Sequence, residues 1–472
     1  MTSAAVYAIS ALGYVGAFLG YGLNVALDRE WLRRAATVVA SLAFMAQTLG
    51  LALRWYEAGL HEVAAREAAE GVSLQGLGYF VTVTSHPPWS NLYEIMVFMS
   101  WGIVIFFLIS EVKWRLRVAG VLALGVALLA FGIASLTLDA RVTPLVPALR
   151  SYWLHFHVFS ASVGYAAGLS GAIASMLYLA RSKTHPHKIA FGAQAVIAVL
   201  VTLVGRGSSL FASGAYRAKI MAAGSDGALV AAGQFNARGD FEPHYAVVPG
   251  AGLLMLLIFA AALAAMILHR QAWRSEAGSW ARVARIVSGV SIGALTLTIA
   301  LLLYHDLVGA APALDPEMAR TLRPAPPYRF ALNSNQWDLA LFMLAWLGGT
   351  YALVVLFAGD ALRTRLPSAA TLDRLAYRSV MLCFTFVSIL IVTGAIWAHY
   401  AWGRYWGWDP KETGSLVIWF VYAGYLHTRI THGLSGRPSA VIAILGFFVV
   451  LAGFLGVNLG WFSSGLHSYG GG

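Results

Sequence analysis

Residues 402–412, Trp-Gly-Arg-Tyr-Trp-Gly-Trp-Asp-Pro-Lys-Glu, place Trp402, Trp406 and Trp408 beside Arg404, Asp409, Lys411 and Glu412 in one short connection between two long apolar runs. Tryptophan gathers at membrane–water interfaces, but anchoring a helix end does not call for this density of indole and charge. Flat indoles can stack on or wall a large planar ligand, and Arg404 and Lys411 can pair with its acidic groups. Haem fits that description. Asp409 and Glu412 would repel such a ligand, so they are expected to orient backbone or imidazole groups, or to cap a helix starting near Thr413.

The rest of the chain must position this segment, and its composition fixes the setting. With 59% hydrophobic and 11% charged residues and a mean hydropathy of +0.70, the chain reads as an all-α, polytopic integral membrane helix bundle. Apolar stretches of spanning length fall at about 5–27, 36–54, 91–110, 118–138, 154–180, 189–205, 249–268, 284–304, 336–358, 379–400, 413–430 and 439–459. That predicts about twelve transmembrane helices. The stretch at 189–205 is the short one and is also compatible with a re-entrant segment. The first run lacks a basic leader and a clear cleavage site, so it is expected to be a retained span.

Lysine and arginine divide the connections into two sets. One contains Arg29, Arg33, Arg34, Lys113, Arg115, Arg117, Arg181, Lys183, Lys188, Arg270, Arg274, Arg282, Arg285, Arg363, Arg365, Arg374, Arg378, Arg429 and Arg437. These loops are roughly threefold richer in positive charge than the others, so they are expected on the cytoplasmic side, with both termini extracytoplasmic. The formal charge of +11 is then a topology signal, and no nucleic-acid partner is expected. The same sorting puts His61, His86, His155, His157, His244, His305, His399 and His467 near the outer side, with the tryptophan segment. It puts His185, His187, His269, His427 and His432 near the inner side. Imidazole at the ends of apolar helices can supply axial ligands to haem iron. Cys383 is the single cysteine, so thiol chemistry must come from a partner.

The tryptophan segment matches every fixed position of the pattern WGxxWxWDxxE. Further matches are Ser90-Asn91-Leu92-Tyr93-Glu94, Trp153-Leu154-His155-Phe156-His157-Val158, Gly394-Ala395-Ile396-Trp397-Ala398, Tyr425-Leu426-His427-Thr428-Arg429, Gly456-Val457-Asn458 and Gly465-Leu466-His467-Ser468-Tyr469. In these motifs the chain resembles the CcsA (ResC) family of cytochrome c biogenesis proteins, over roughly residues 1–180 and 375–472. The resemblance implies a holocytochrome c synthase-type component that delivers haem b to the extracytoplasmic face of a cytoplasmic (inner) or thylakoid membrane. There the two thiols of an apocytochrome c CxxCH segment add to the haem vinyl groups to form thioethers. The implied contribution of the protein is proximity and orientation, with no catalytic acid or base assigned. It implies His157 and His467 as iron ligands at the outer site and His427 as a ligand deeper in the membrane. The resemblance also selects His157 over its neighbour His155, which lies on another helix face. His427's mate is implied to come from a CcsB (ResB)-like membrane protein, and a thioredoxin-like thiol reductant is a further implied partner.

The chain is thereby divided into an N-terminal membrane bundle (1–188), an inserted membrane segment (189–375) and a C-terminal haem-handling segment (376–472). The inserted outer loops, about 206–248 and 305–335, are rich in Gly, Ala and Pro and read as connections, with His244 and His305 as candidates for extra ligands. Other readings remain open: a haem transporter or exporter without ligation activity, a haem lyase subunit of the CcmF type, and an accessory subunit that holds no haem. Trp89, Trp101, Trp114, Trp153 and Trp461 are expected to anchor or pack, and His399, one turn before Trp402, is not taken as a ligand.

Overall fold

The computed structural model describes residues 2–85, 87–89, 91–137, 140, 151–207, 210–223, 229–275, 278–308, 320–324, 328–330 and 336–458. The expected ligand His467 therefore lies outside the described residues, as do His86, Ser90 and Trp461.

Each of the twelve apolar stretches forms a helix. In chain order they are α1 (Ser3–Leu27), α2 (Glu30–Glu70), α4 (Leu92–Trp114), α5 (Ala119–Thr137), α6 (Tyr152–Arg181), α7 (Pro186–Gly207), α9 (Ala251–Ser275), α10 (Gly278–Val308), α11 (Gln336–Arg365), α12 (Ala369–Trp402), α13 (Pro410–Thr431) and α14 (Arg437–Asn458), with the shorter α3 (Gly76–Thr84) and α8 (Leu210–Ser213) between them. Ten of these are long and apolar enough to cross a membrane, and α7 is one of them. Among the described residues α5 contributes a shorter apolar stretch, Ala119–Ser135, and α13 carries Lys411, Glu412 and Arg429. The chain is a polytopic helical membrane protein.

The all-α expectation misses a small β structure. Six short strands appear among the described residues: β1 (Arg217–Ala223), β2 (Leu229–Ala231), β3 (Gly233–Phe235), β4 (Phe241–Pro243), β5 (Tyr245–Val247) and β6 (Tyr328–Phe330). Strand β1 pairs antiparallel with β2, β5 and β6, and β3 pairs with β4. The segments expected to be plain loops thus meet in a sheet, and β6 joins β1 from far along the chain. Such non-local pairing leaves no periodic trace in strands this short.

The chain divides into two compact units, one of residues 1–183 with 362–472 and the other of residues 184–361. The first holds α1–α6 and α12–α14; the second holds α7–α10, the strands and nearly all of α11. Helix α11 departs from helical geometry at Ala358, close to the border between the units. In the first unit, small residues let α6 and α12 approach closely: a Cβ on Gly164 would lie 3.3 Å from Phe386 Cβ, and one on Gly171 would lie 3.3 Å from Val380 Cγ2. A buried ion pair, Arg54 Nε to Glu94 Oε1 at 2.9 Å, ties α2 to the first turn of α4. Asn91 caps that turn by accepting from Glu94 N at 2.9 Å.

Candidate functional site

The first unit contains a cavity with about 1350 Å³ of empty space, its open mouth included. Its wall draws on the start of α4 (Trp89, Asn91, Leu92, Ile95), on α6 (Leu154, His157, Val158, Ala161, Tyr165) and on α12 (Leu390, Gly394, Trp397). The tryptophan segment and α13 add Tyr405, Trp406, Lys411, Glu412 and Ser415. The mostly apolar lining with a few convergent polar groups suits an organic ligand.

His157 is the imidazole in this wall, and its chemistry is set by one contact. Its Nδ1 lies 2.9 Å from the Leu390 carbonyl oxygen. A carbonyl can only accept, so Nδ1 carries the proton and Nε2 keeps its lone pair. An imidazole held at Nδ1–H by a backbone carbonyl is the arrangement that orients histidines bound to metals. Room for the ring comes from Gly394, where a Cβ would fall 2.6 Å from His157 Nδ1. Trp397 lies nearly parallel to the ring, with centroids 6.0 Å apart.

The neighbouring histidines are placed differently. His155 receives the Trp89 Nε1–H at 3.4 Å and does not line the cavity. His399 is exposed and stacked on Tyr405, 4.3 Å between centroids and 4° between planes. His427 is exposed on α13, with His432 as a ring neighbour at 5.8 Å, and is likewise not in the cavity wall. In the second unit, His244 sits between β4 and β5, and His305 packs on Tyr304 near the end of α10.

The tryptophan segment is fixed at both ends by helix caps. Gly403 closes α12 in the left-handed conformation (φ 72°), its N–H donating to His399 O at 2.9 Å. Asp409 opens α13 by accepting from Lys411 N at 2.9 Å, while Glu412 Oε2 accepts from Asp409 N at 3.1 Å and Gly407 N at 2.7 Å. This capping box meets the expectation of a helix cap, although the helix begins at Pro410 rather than near Thr413. Trp408, at φ 57°, occupies a left-handed position that a bulky residue rarely adopts. The turn sends its side chain outward, 71% exposed, with Trp406 edge-on at 5.8 Å.

The sequence-predicted residues therefore separate. Trp406, Lys411 and Glu412 line the cavity, whereas Trp402, Arg404, Trp408 and Asp409 do not. Trp402 packs on Trp397 at 4.8 Å, behind the wall. Arg404 is exposed and passes directly over Gly407, which has no Cβ to obstruct it. Burial pulls the Lys411 ammonium, which precedes the apolar part of α13, below the usual lysine range, and Asp409 opposes that pull. Glu412 Oε1 is buried with no hydrogen bond among the described residues. Trp89, expected as an anchor, is part of the wall, and the role of Leu390 was hidden because a backbone acceptor has no residue signature.

Comparison with known proteins gives the family. The model of the family described as Cytochrome C assembly protein matches residues 89–210 and 251–467. That match takes in α9, α10 and α11, within the segment expected to be an insertion, and passes over 211–250, where β1–β5 lie. A cytochrome c biogenesis protein CcsA of Nostoc punctiforme is 31% identical over 396 residues, 83% of this chain and 81% of that protein. The CcsA protein of Trichormus variabilis is 30% identical over 459 residues, 95% of this chain and 99% of its own length. Among solved structures, the cytochrome c haem lyase CcmF aligns at 13% identity with a TM-score of 0.33, covering 98% of this chain and 73% of its own, too weak a likeness to extend to the site. With a cavity built from the matched segments and CcsA proteins similar along most of its length, the chain belongs to the cytochrome c assembly protein family.

Proposed function

We propose that the chain binds haem b in the cavity of the first unit, with His157 Nε2 as an axial ligand to iron, and presents it for covalent attachment to an apocytochrome c. The observation that carries this reading is the placement of His157, whose Nδ1–H is committed to Leu390 O and whose ring lines an aromatic cavity, so that the neutral imidazole offers Nε2 to a metal. Trp89, Trp397 and Trp406 wall the porphyrin, and Lys411 pairs with a propionate. Bound haem supplies two vinyl groups, to which the thiols of a CxxCH segment add. The residues of this chain fix the plane, exclude water and hold the propionate end, so that the attachment gains from proximity and orientation. Glu412 Oε1 is an acceptor for a donor group that arrives with the ligand or with the cytochrome segment.

In this reading His467 is the opposing ligand, His427 serves a deeper site completed by a CcsB-like partner, and the cavity opens on the extracytoplasmic side. The exposure of His427 on α13 supports a mate from another protein. The test is an absorption spectrum of the purified chain with and without the partner, followed by coexpression with an apocytochrome c. Bound haem that disappears in His157→Ala and a covalent cytochrome product support the proposal. Haem retained by His157→Ala overturns the ligand assignment, and non-covalent haem alone would leave the chain a transporter.

A further inference from the structure

The second unit buries a polar system unrelated to the cavity of the first. His187 on α7 and His269 on α9 meet Nδ1 to Nδ1 at 2.7 Å, and His269 Nε2 lies 2.8 Å from Ser288 Oγ on α10. His269 is 0% exposed and His187 is buried. The His185 ring lies 5.4 Å from that of His187, and the Arg285 guanidinium on α10 acts on His187 and lies over the Phe357 ring of α11.

Farther along the same helices three more polar atoms are buried: Gln194 Oε1, Ser291 Oγ and Thr350 Oγ1, none with a hydrogen bond among the described residues. They belong to one level of the unit. A Cβ on Gly349 would collide with Ile292 Cδ1 and lie 3.1 Å from Ile197 Cδ1, so α7, α10 and α11 meet at Ile197, Ile292 and Gly349. Gln194 is three residues from Ile197, Ser291 adjoins Ile292 and Thr350 adjoins Gly349, which puts all three within about one helical turn of that contact. Ser291 is also one turn from Ser288 on α10. In helices surrounded by lipid, polar atoms without partners are costly, and water held by about three such groups is the usual remedy.

We propose that the second unit holds water at Gln194, Ser291 and Thr350, and that the chain His187–His269–Ser288 passes protons between that water and the basic end of the unit. The bonding supports transfer in steps. A neutral imidazole has one N–H and one bare nitrogen, so the Nδ1–Nδ1 contact holds a single proton that either ring can donate. A proton arriving at His187 Nε2 moves the shared proton onto His269 Nδ1, and His269 Nε2–H is released through the Ser288 hydroxyl to the water beyond. One proton enters and one leaves, with no change in heavy-atom bonds. The alternative is a dry clamp between α7 and α9, which would need no hydrated cluster.

The full chain in lipid nanodiscs, carrying 15N-histidine, separates the two by water-edited NMR. The expected result is a deshielded proton coupled to two imidazole nitrogens, with magnetisation from water reaching His269. Replacing Ser291→Ala together with Thr350→Val, both near-isosteric, should abolish the water transfer and leave the shared proton in place. Gln194→Leu alone gives the same readout should the double variant fail to fold. His269 without water contact in the native chain, or with contact unchanged in the variants, overturns the proposal.

Discussion

The two units each bury histidine on apolar helices, yet the neighbours give the imidazoles opposite capacities. In the first unit His157 donates its Nδ1–H to a backbone carbonyl, and the ring lines a cavity. In the second, His187 and His269 meet each other, and Ser288 takes the remaining nitrogen of His269. Residue type is the same in the two places, although His157 borders a cavity and is less buried than the pair. A carbonyl partner leaves the other ring nitrogen for a ligand, whereas an imidazole partner makes a pair that shares one proton.

This contrast is broken most decisively by removing one imidazole from each unit. His157→Ala should abolish bound haem in the absorption spectrum of the purified chain, while His269→Ala should leave that spectrum unchanged; a Soret band lost in the second variant and kept in the first would reverse the assignment. A second effect follows from clearance. Gly394→Ala puts a methyl group against the His157 ring, and overpacking of about 1–3 kcal/mol should weaken haem retention by roughly tenfold or more, read by haem transfer to an apoprotein acceptor.

Charge sharpens the comparison further. Lys411→Ala should lower haem affinity by about tenfold, as expected for loss of one charge-assisted bond. Because burial depresses the Lys411 ammonium, its pairing with a carboxylate should be present at low pH and lost as pH rises, earlier than for an ordinary lysine. Lys411→Arg, whose charge persists, should hold haem to higher pH in a titration of the Soret band. The smallest effect concerns the cap: Asp409→Ala should cost about 1 kcal/mol of stability, seen as a lower thermal midpoint, with the haem spectrum little changed. A spectrum that collapses in Asp409→Ala would show that the cap and the cavity are not separable.

Much of the helical fold is legible in the residues because a bilayer-length apolar run admits few alternatives, and all twelve such runs are helices. The β sheet is not, since β1 and β6 find each other across α9 and α10 and neither has a telling alternation. The site divides in the same way. The density of indole and charge at 402–412 points to a stretch that borders the cavity, and Trp406 and Lys411 line it. Which tryptophan faces inward depends on the left-handed turn at Trp408, a backbone detail that spacing cannot report. The contact that gives His157 its character was illegible for a related reason, since any residue at position 390 would present the same carbonyl.

The caps at Gly403 and Asp409 make the length of the intervening loop a quantity in its own right. Both helix ends are locked by their own hydrogen bonds, so the loop has no slack with which to absorb an added or deleted residue. A one-residue insertion between them would re-aim Trp406 while every side chain in the segment remained the same. Substitutions at the exposed Arg404 leave that aim intact. Among natural variants, loop length should therefore be more tightly constrained than the identity of residue 404.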